Sequence, residues 1–323
     1  MRRLWKTMAG VSLVLICGVC MVTNPVLFAA DTEVEIIRVD PEKLKSDVVF
    51  LATLQPARHS ENTASLDSAA SWIRAQLSAE GIISEEQVYE AGGKKYRNII
   101  CSFGPDSGER IIAGAHYDVC GERPGADDNA SGTAGLLEIA RQLKRNSAQL
   151  AYRTDLVFYT LEEPPYFRTT EMGSAVHARS LKAKDIKVKT MICLEMIGYF
   201  SDAEDSQEYP VKLLKLFYPD KANYIAVVGK FGQGRLIRNV KRKMNSAMDL
   251  DVRSINAPAS LPGIDFSDHL NYWAEGYDAV MITNTAFYRN KNYHEPTDTP
   301  ETLDYKRMAE VVKGVYNVIV QMK

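Results

Sequence analysis

Cysteine is scarce in this sequence. There are five among 323 residues, and two of them, Cys17 and Cys20, lie near the N-terminus. The remaining Cys101, Cys120 and Cys193 form an odd set, which argues against a disulfide framework even in an oxidising compartment. A core of this size needs no such support. Charge of one sign is also lacking: 39 basic against 41 acidic residues give a net charge of −2, which excludes the basic footprint of a nucleic-acid binder. No internal repeat or low-complexity tract occurs, so solenoids and disordered arrays are excluded as well. Histidine is limited to positions 59, 116, 177, 269 and 294.

What remains is an ordinary globular balance, 46% hydrophobic and 25% charged, with no Pro/Gly/Ser-rich linker. The exception is the start. Arg2, Arg3 and Lys6 precede an uncharged stretch from Met8 to Ala30 that ends in small residues. This reads as residues 1–30 forming a secretory signal, cleaved near Ala30–Asp31, or a retained membrane anchor with the rest of the chain outside the cytoplasm. Cys17 and Cys20 lack the preceding small residue that a lipidated cysteine needs. Removing the three cations with no acid takes the net charge from −2 to −5. The chain is expected to be exported, periplasmic or secreted.

From Asp31 to about Lys94 the pattern reads as helical, most clearly at Asp67–Gly81, where Ala69, Ala70, Trp72, Ile73 and Leu77 share a face. Short apolar runs then alternate with helices. Asn98–Phe103 and Arg110–Ala115 read as neighbouring strands joined by a Gly/Pro/Asp turn. Asp155–Thr160, Thr190–Met196, Tyr224–Val228 and Ala279–Thr283 read as further strands. Helices are expected over Ser131–Lys144, Glu171–Leu181 and Gly234–Met248, and at the C-terminus, where Met308, Val311, Val312, Val315 and Ile319 point inward. The alternation predicts a single three-layer α/β/α domain over residues 31–323 with a mixed, largely parallel central sheet.

Open α/β sheets bind ligands beyond the carboxyl ends of their strands. Polar residues cluster at those places: His116 and Asp118 after one strand, Asp127 and Asp128 before a helix, Glu162 and Glu163 after the next strand, Glu195 closing another, His294 and Asp298 after the last. Each signal alone is weak. A Glu-Glu pair is usually a solvated loop, and Asp-Asp-Asn before a helix is often a cap. Together they would gather several carboxylates in one pocket, and some would have to protonate unless divalent cations were present. Imidazole and carboxylate donors suit zinc, with cobalt or manganese as substitutes. Paired acids allow one to bind metal while its neighbour handles a proton. Cys120, four residues after His116, is a conceivable ligand, but a plain structural role is the preferred reading.

The runs Gly-Ala-His116-Tyr-Asp118, Gly-Ala-Asp127-Asp128-Asn-Ala-Ser-Gly, Glu162-Glu163 with Met172-Gly173-Ser174, Leu194-Glu195-Met196-Ile197-Gly198 and Tyr293-His294-Glu-Pro-Thr-Asp298 resemble the M28 family of zinc exopeptidases. The resemblance covers nearly everything after the first 30 residues. It implies an aminopeptidase acting on the N-termini of peptides or proteins, with two zinc ions per chain. Asp128 would bridge them, His116 and Glu195 would complete one site, and Glu163 and His294 the other. Glu162 would be the general base toward metal-activated water. Asp118 would orient His116, with Asp127 and His269 close behind. Two features depart from the pattern: many relatives have Asp at the position of Glu195, and no Tyr precedes Ser267-Asp268-His269, which leaves the oxyanion donor unassigned.

A single-zinc glutaminyl cyclotransferase and an inactive binding protein of the same fold are the competing readings. Tyr199, Phe200, Phe217, Tyr218 and Phe287 are candidates for a side-chain pocket, and Arg168 or Arg289 for a substrate carboxylate; core packing and surface ion pairs are the plainer alternatives for these. The segments 201–223 and 256–265 are expected to wall the cleft. His59 and His177 are expected to be structural. The sequence carries no signal for oligomeric state.

Overall fold

The computed structural model describes Gly18, residues 20–25 and residues 37–323 except Ser107 and Ala148. The expected cleavage point near Ala30–Asp31 lies outside the described residues. Among the described residues no helix is long and apolar enough to cross a membrane.

Eight strands form one sheet: β1 (Ser84–Ala91), β2 (Lys94–Phe103), β3 (Arg110–His116), β4 (Arg153–Tyr159), β5 (Val188–Glu195), β6 (Tyr224–Lys230), β7 (Asp251–Ala257) and β8 (Ala279–Thr283), in the order β1-β2-β4-β3-β5-β8-β6-β7. The centre, β4-β3-β5-β8, is parallel, while β2 and β6 run antiparallel to their inner neighbours. Alternation along the buried strands divides the core. Ile111, Ala113, Leu156, Phe158, Ile192 and Leu194 face one layer. Ile112, Val157, Tyr159, Met191 and Cys193 face the other.

The first layer is built by α1 (Pro41–Ala52), α2 (Thr63–Ala79), α3 (Gly132–Arg145), α5 (Gly234–Asn245) and α7 (Tyr305–Gln321). The second is thinner, with α4 (Gly173–Ala183) and α6 (His269–Ala274). Asp40 caps α1 by accepting from the Glu42 amide, and Asp304 caps α7 by accepting from the Lys306 and Arg307 amides. Three expectations need correction. The helical reading to Lys94 fails at β1, because the polar run SEEQVYEA of an edge strand carries little apolar signal. β2 and β3 are not neighbours, since β4 inserts between them and pairs with both. The polar edge strand β7 and the short helix α6 were not anticipated.

Candidate metal centre

Adjacent parallel strands end at one edge of the sheet, and that edge carries the site. His116 is the last residue of β3 and Glu195 the last of β5, while Glu162 and Glu163 follow β4. Asp127 and Asp128 lie in the turn leading into α3, and His294 in the loop after β8. Three residues beside these side chains or among them, Leu161, Met196 and His294, adopt positive φ (63°, 55° and 58°). That backbone is costly for residues with a Cβ, and such strain gathers where side chains must be aimed.

The side chains converge on Asp128. Its Oδ1 lies 3.5 Å from His116 Nε2, and its Oδ2 lies 3.1 Å from His294 Nε2. His116 Nε2 also faces Glu195 Oε2 at 3.2 Å, and His294 Nε2 faces Glu163 Oε2 at 3.2 Å. Glu162 Oε2 stands 3.8 Å from His116 Nε2. Each oxygen of Asp128 therefore faces its own imidazole, and each imidazole faces its own glutamate. His116 Nε2, His294 Nε2 and Glu163 Oε1 are buried without a hydrogen-bond partner. Buried nitrogens that face carboxylates at these distances without forming hydrogen bonds, together with the buried acids, make an N/O donor set that fits zinc.

The electrostatics agree. Burial raises the carboxyl of Glu162 well above the usual range, and the neighbouring Glu195 and Glu163 add to the rise against the pull of His116. Burial likewise raises Glu195 and lifts Glu163 to about 8. At Asp128 burial is outweighed by the two facing imidazoles, so its carboxyl is held below the usual range. Burial would lower His116, but Glu195 and Glu162 more than compensate and raise it. So many carboxyl groups in one buried cluster repel one another, a cost that divalent cations relieve.

A second ring of groups fixes the ligands. Asp118 accepts from the amides of Glu162 and Glu163 (3.2 and 3.1 Å), and its Oδ1 lies 3.5 Å from His116 Nδ1. It thus ties the β4 loop to β3. Asp298 does the same for the α3 turn, accepting from the Asp127 and Asp128 amides (3.0 and 3.1 Å). Asp127 turns away from the cluster: Gly198 N and Ser131 Oγ donate to its Oδ1, and Asn284 and Asn290 to its Oδ2. These four bonds brace the turn. Ser267 Oγ donates to Glu195 Oε2 at 2.6 Å. Asn129 donates to Leu194 O and accepts from Gly132 N and Met196 N. Residue 132 must be glycine for this contact, since a Cβ there would sit 2.6 Å from Leu194 O. Arg58, fully buried, donates to the carbonyls of Leu51, Tyr117, Pro124 and Gly125, clamping the chain on both sides of the site. Ser267, Asn129, Asn284, Asn290 and Arg58 were not singled out from sequence; most of their partners are distant along the chain, and only the runs that hold Asn129 and Ser267 offered a hint.

The other candidate side chains are engaged within the protein. His269 is buried but bonds to Ile264 O and packs edge-on against Trp273, so its ring is engaged away from the ligands. Arg168 is paired with Asp265 at 2.7 Å and lies over Phe167 and Phe266. Arg289 is buried, donating to Gln207 and to the carbonyls of Ala222 and Tyr224, and it anchors the 201–223 segment. Phe200 is buried beneath Arg289 and Arg307, and Tyr199 packs against the core. His59 and His177 are structural as expected: His59 meets Glu122, and His177 Nδ1 meets Tyr272 Oη.

A cleft opens beside Glu195. Tyr209, Leu214 and Tyr218 of the 201–223 segment line it, as do Pro262 and Ile264 of the 256–265 segment, together with Phe266, Met281 and Phe287. Both expected wall segments are there, and Tyr218 and Phe287 are the aromatic candidates that reach it. An aromatic strip also leads outward from the site: Tyr293 stacks on His294, Phe287 packs on Tyr293, and Phe266 on Phe287.

Comparison with known proteins matches the sequence profile "Peptidase family M28" to residues 98–319. The chain is 45% identical over 291 residues to the uncharacterized protein YfbL of Escherichia coli (strain K12), covering 88% of each chain. Among solved structures, its fold is similar to that of the LapA aminopeptidase of Legionella pneumophila (TM-score 0.70, 18% identity, 91% of this chain and 77% of that one). It is nearly as similar to the glutaminyl cyclase of Bacteroides thetaiotaomicron bound to N-acetylhistamine (TM-score 0.66, 18% identity, 90% and 100%).

Proposed function

The chain belongs to peptidase family M28, and from that membership we propose that it is a zinc-dependent aminopeptidase with two cation sites. The observation that carries this reading is the pair of carboxyl oxygens on Asp128, each facing a separate histidine–glutamate pair. His116, Asp128 and Glu195 would hold the inner zinc; Asp128, Glu163 and His294 the outer. When bound, the ions supply Lewis-acid activation of water and of the scissile carbonyl.

The remaining work falls to the chain. Glu162 is the general base: it takes a proton from the attacking water and returns it to the departing amine, from a position beside the ligand His116. Asp118 positions it, because the amides of Glu162 and Glu163 are held by one carboxylate. Burial of the cluster excludes bulk water from the charged groups. The cleft beside Glu195 receives the N-terminal side chain, and its Leu, Ile, Met, Phe and Tyr lining favours an apolar one. Residues 1–30 direct the protein out of the cytoplasm.

The test is a peptide panel with free and acetylated N-termini. The zinc-loaded protein should release N-terminal residues only from free amines. Glu162→Gln should lower kcat by about 10²–10⁴-fold with zinc retained. Undiminished activity in that variant would remove Glu162 from the role. The likeness to a glutaminyl cyclase supports one alternative, and conversion of N-terminal glutamine to pyroglutamate without hydrolysis would establish it instead.

A further inference from the structure

Resting on the two-site reading above, we infer that Cys120 is an additional protein ligand of the outer zinc site, which makes that site a mixed N/O/S centre unlike its all-N/O neighbour. The outer cation has three donors from Asp128, Glu163 and His294, and because a catalytic zinc can expand to five-coordinate, a further protein donor leaves room for water. Cys120 lies in the loop leaving β3, four residues after His116, and is half-buried. Its Sγ and the ligand atoms of Glu163 and His294 all lie within 4.8 Å of one another. Ligand atoms around a tetrahedral zinc, with bonds of about 2.0–2.3 Å, sit roughly 3.3–3.8 Å apart. Shifts of about 1 Å therefore bring all three onto one ion.

Two residues of this group carry unpartnered atoms. Glu163 Oε1 and His294 Nε2 are buried with no hydrogen-bond partner, and Glu163 itself is only 4% exposed. The other described thiols near the sheet are engaged elsewhere: Cys101 is buried in β2, and Cys193 Sγ contacts Ser267 Oγ. A thiolate changes the chemistry of the outer site. Soft sulfur favours zinc, cadmium and cobalt over manganese, so the two sites should differ in metal preference. Its negative charge also makes the outer cation a weaker Lewis acid than the inner one, which assigns carbonyl activation chiefly to the His116–Glu195 side.

Cobalt is the probe. The purified chain, stripped with chelator, is titrated with Co²⁺ and followed by absorption. The proposal expects two equivalents bound and a near-ultraviolet thiolate-to-cobalt charge-transfer band that grows with one of them. Cys120→Ser should abolish the band and weaken that equivalent by roughly tenfold or more, while Cys193→Ala leaves the band in place. Two equivalents bound with no such band in the unaltered protein, or a band that survives Cys120→Ser, would overturn the thiolate ligand and leave the two-site reading intact. Binding of a single equivalent would instead overturn the two-site reading and the proposal with it.

Discussion

Asp118 offers a graded perturbation of the site. Its carboxylate accepts from two buried amides, those of Glu162 and Glu163, and faces the Nδ1 of His116. Alanine leaves both amides unsatisfied. Asparagine can serve one through its carbonyl oxygen, but turns an NH₂ donor toward the other. An unsatisfied buried donor costs about 1–3 kcal/mol, so Asp118→Asn should lose about 1–3 kcal/mol of stability and Asp118→Ala about twice that. The loop that carries the base and an outer ligand loosens at the same time, and zinc affinity should fall by about 10–100-fold. Urea midpoints of the chelator-treated protein measure the first effect, and competition with a chromophoric zinc chelator measures the second. Equal losses in the two variants would mean that the charge, rather than the amide bonds, carries the effect. Wild-type stability and zinc affinity in Asp118→Ala would refute the positioning role outright.

His177 makes a pH prediction that is independent of the metal. Burial lowers its folded pKa to about 4, below the unfolded value of about 6.5, so the unfolded chain binds the proton first. The stability from its neutral form is present above pH 6.5 and is lost as pH falls toward 4. Relative to His177→Gln, the unaltered protein should lose about 1.4 kcal/mol per pH unit in that window; parallel stability curves for the two would contradict it. In the cleft, Leu214→Trp adds bulk on the 201–223 wall. It should lower kcat/KM for peptides beginning with Leu or Phe by roughly tenfold and spare those beginning with Ala. Equal effects on both substrate classes would place the cleft outside substrate recognition.

Much of this was legible in the sequence because strands buried on both faces, such as Ile111–Ala115 and Met191–Leu194, are continuous apolar runs, and because the polar residues that interrupt them lie at strand ends. What escaped has physical reasons. β1 and β7 are edge strands, and their charged, half-exposed residues look like loop or helix. The insertion of β4 between β2 and β3 is a choice of pairing partner that local pattern does not encode. Arg168 and Arg289 could have served a substrate carboxylate, but each takes the plainer alternative and has a partner from another segment, Asp265 and the 201–223 loop respectively. The groups that brace the ligands bond across long separations: Ser267 to Glu195, Asn284 and Asn290 to Asp127. No spacing rule anticipates those contacts.

The central claim is that two separate cation sites share Asp128 and serve hydrolysis. It is tested most directly by counting zinc in the purified protein while the same sample digests a library of peptides with free N-termini. Two zinc ions per chain, with stepwise release of N-terminal residues that ceases when the metal is removed and returns when it is restored, is the predicted result. One zinc per chain at saturation, with peptides left intact or cyclised to pyroglutamate, would contradict it.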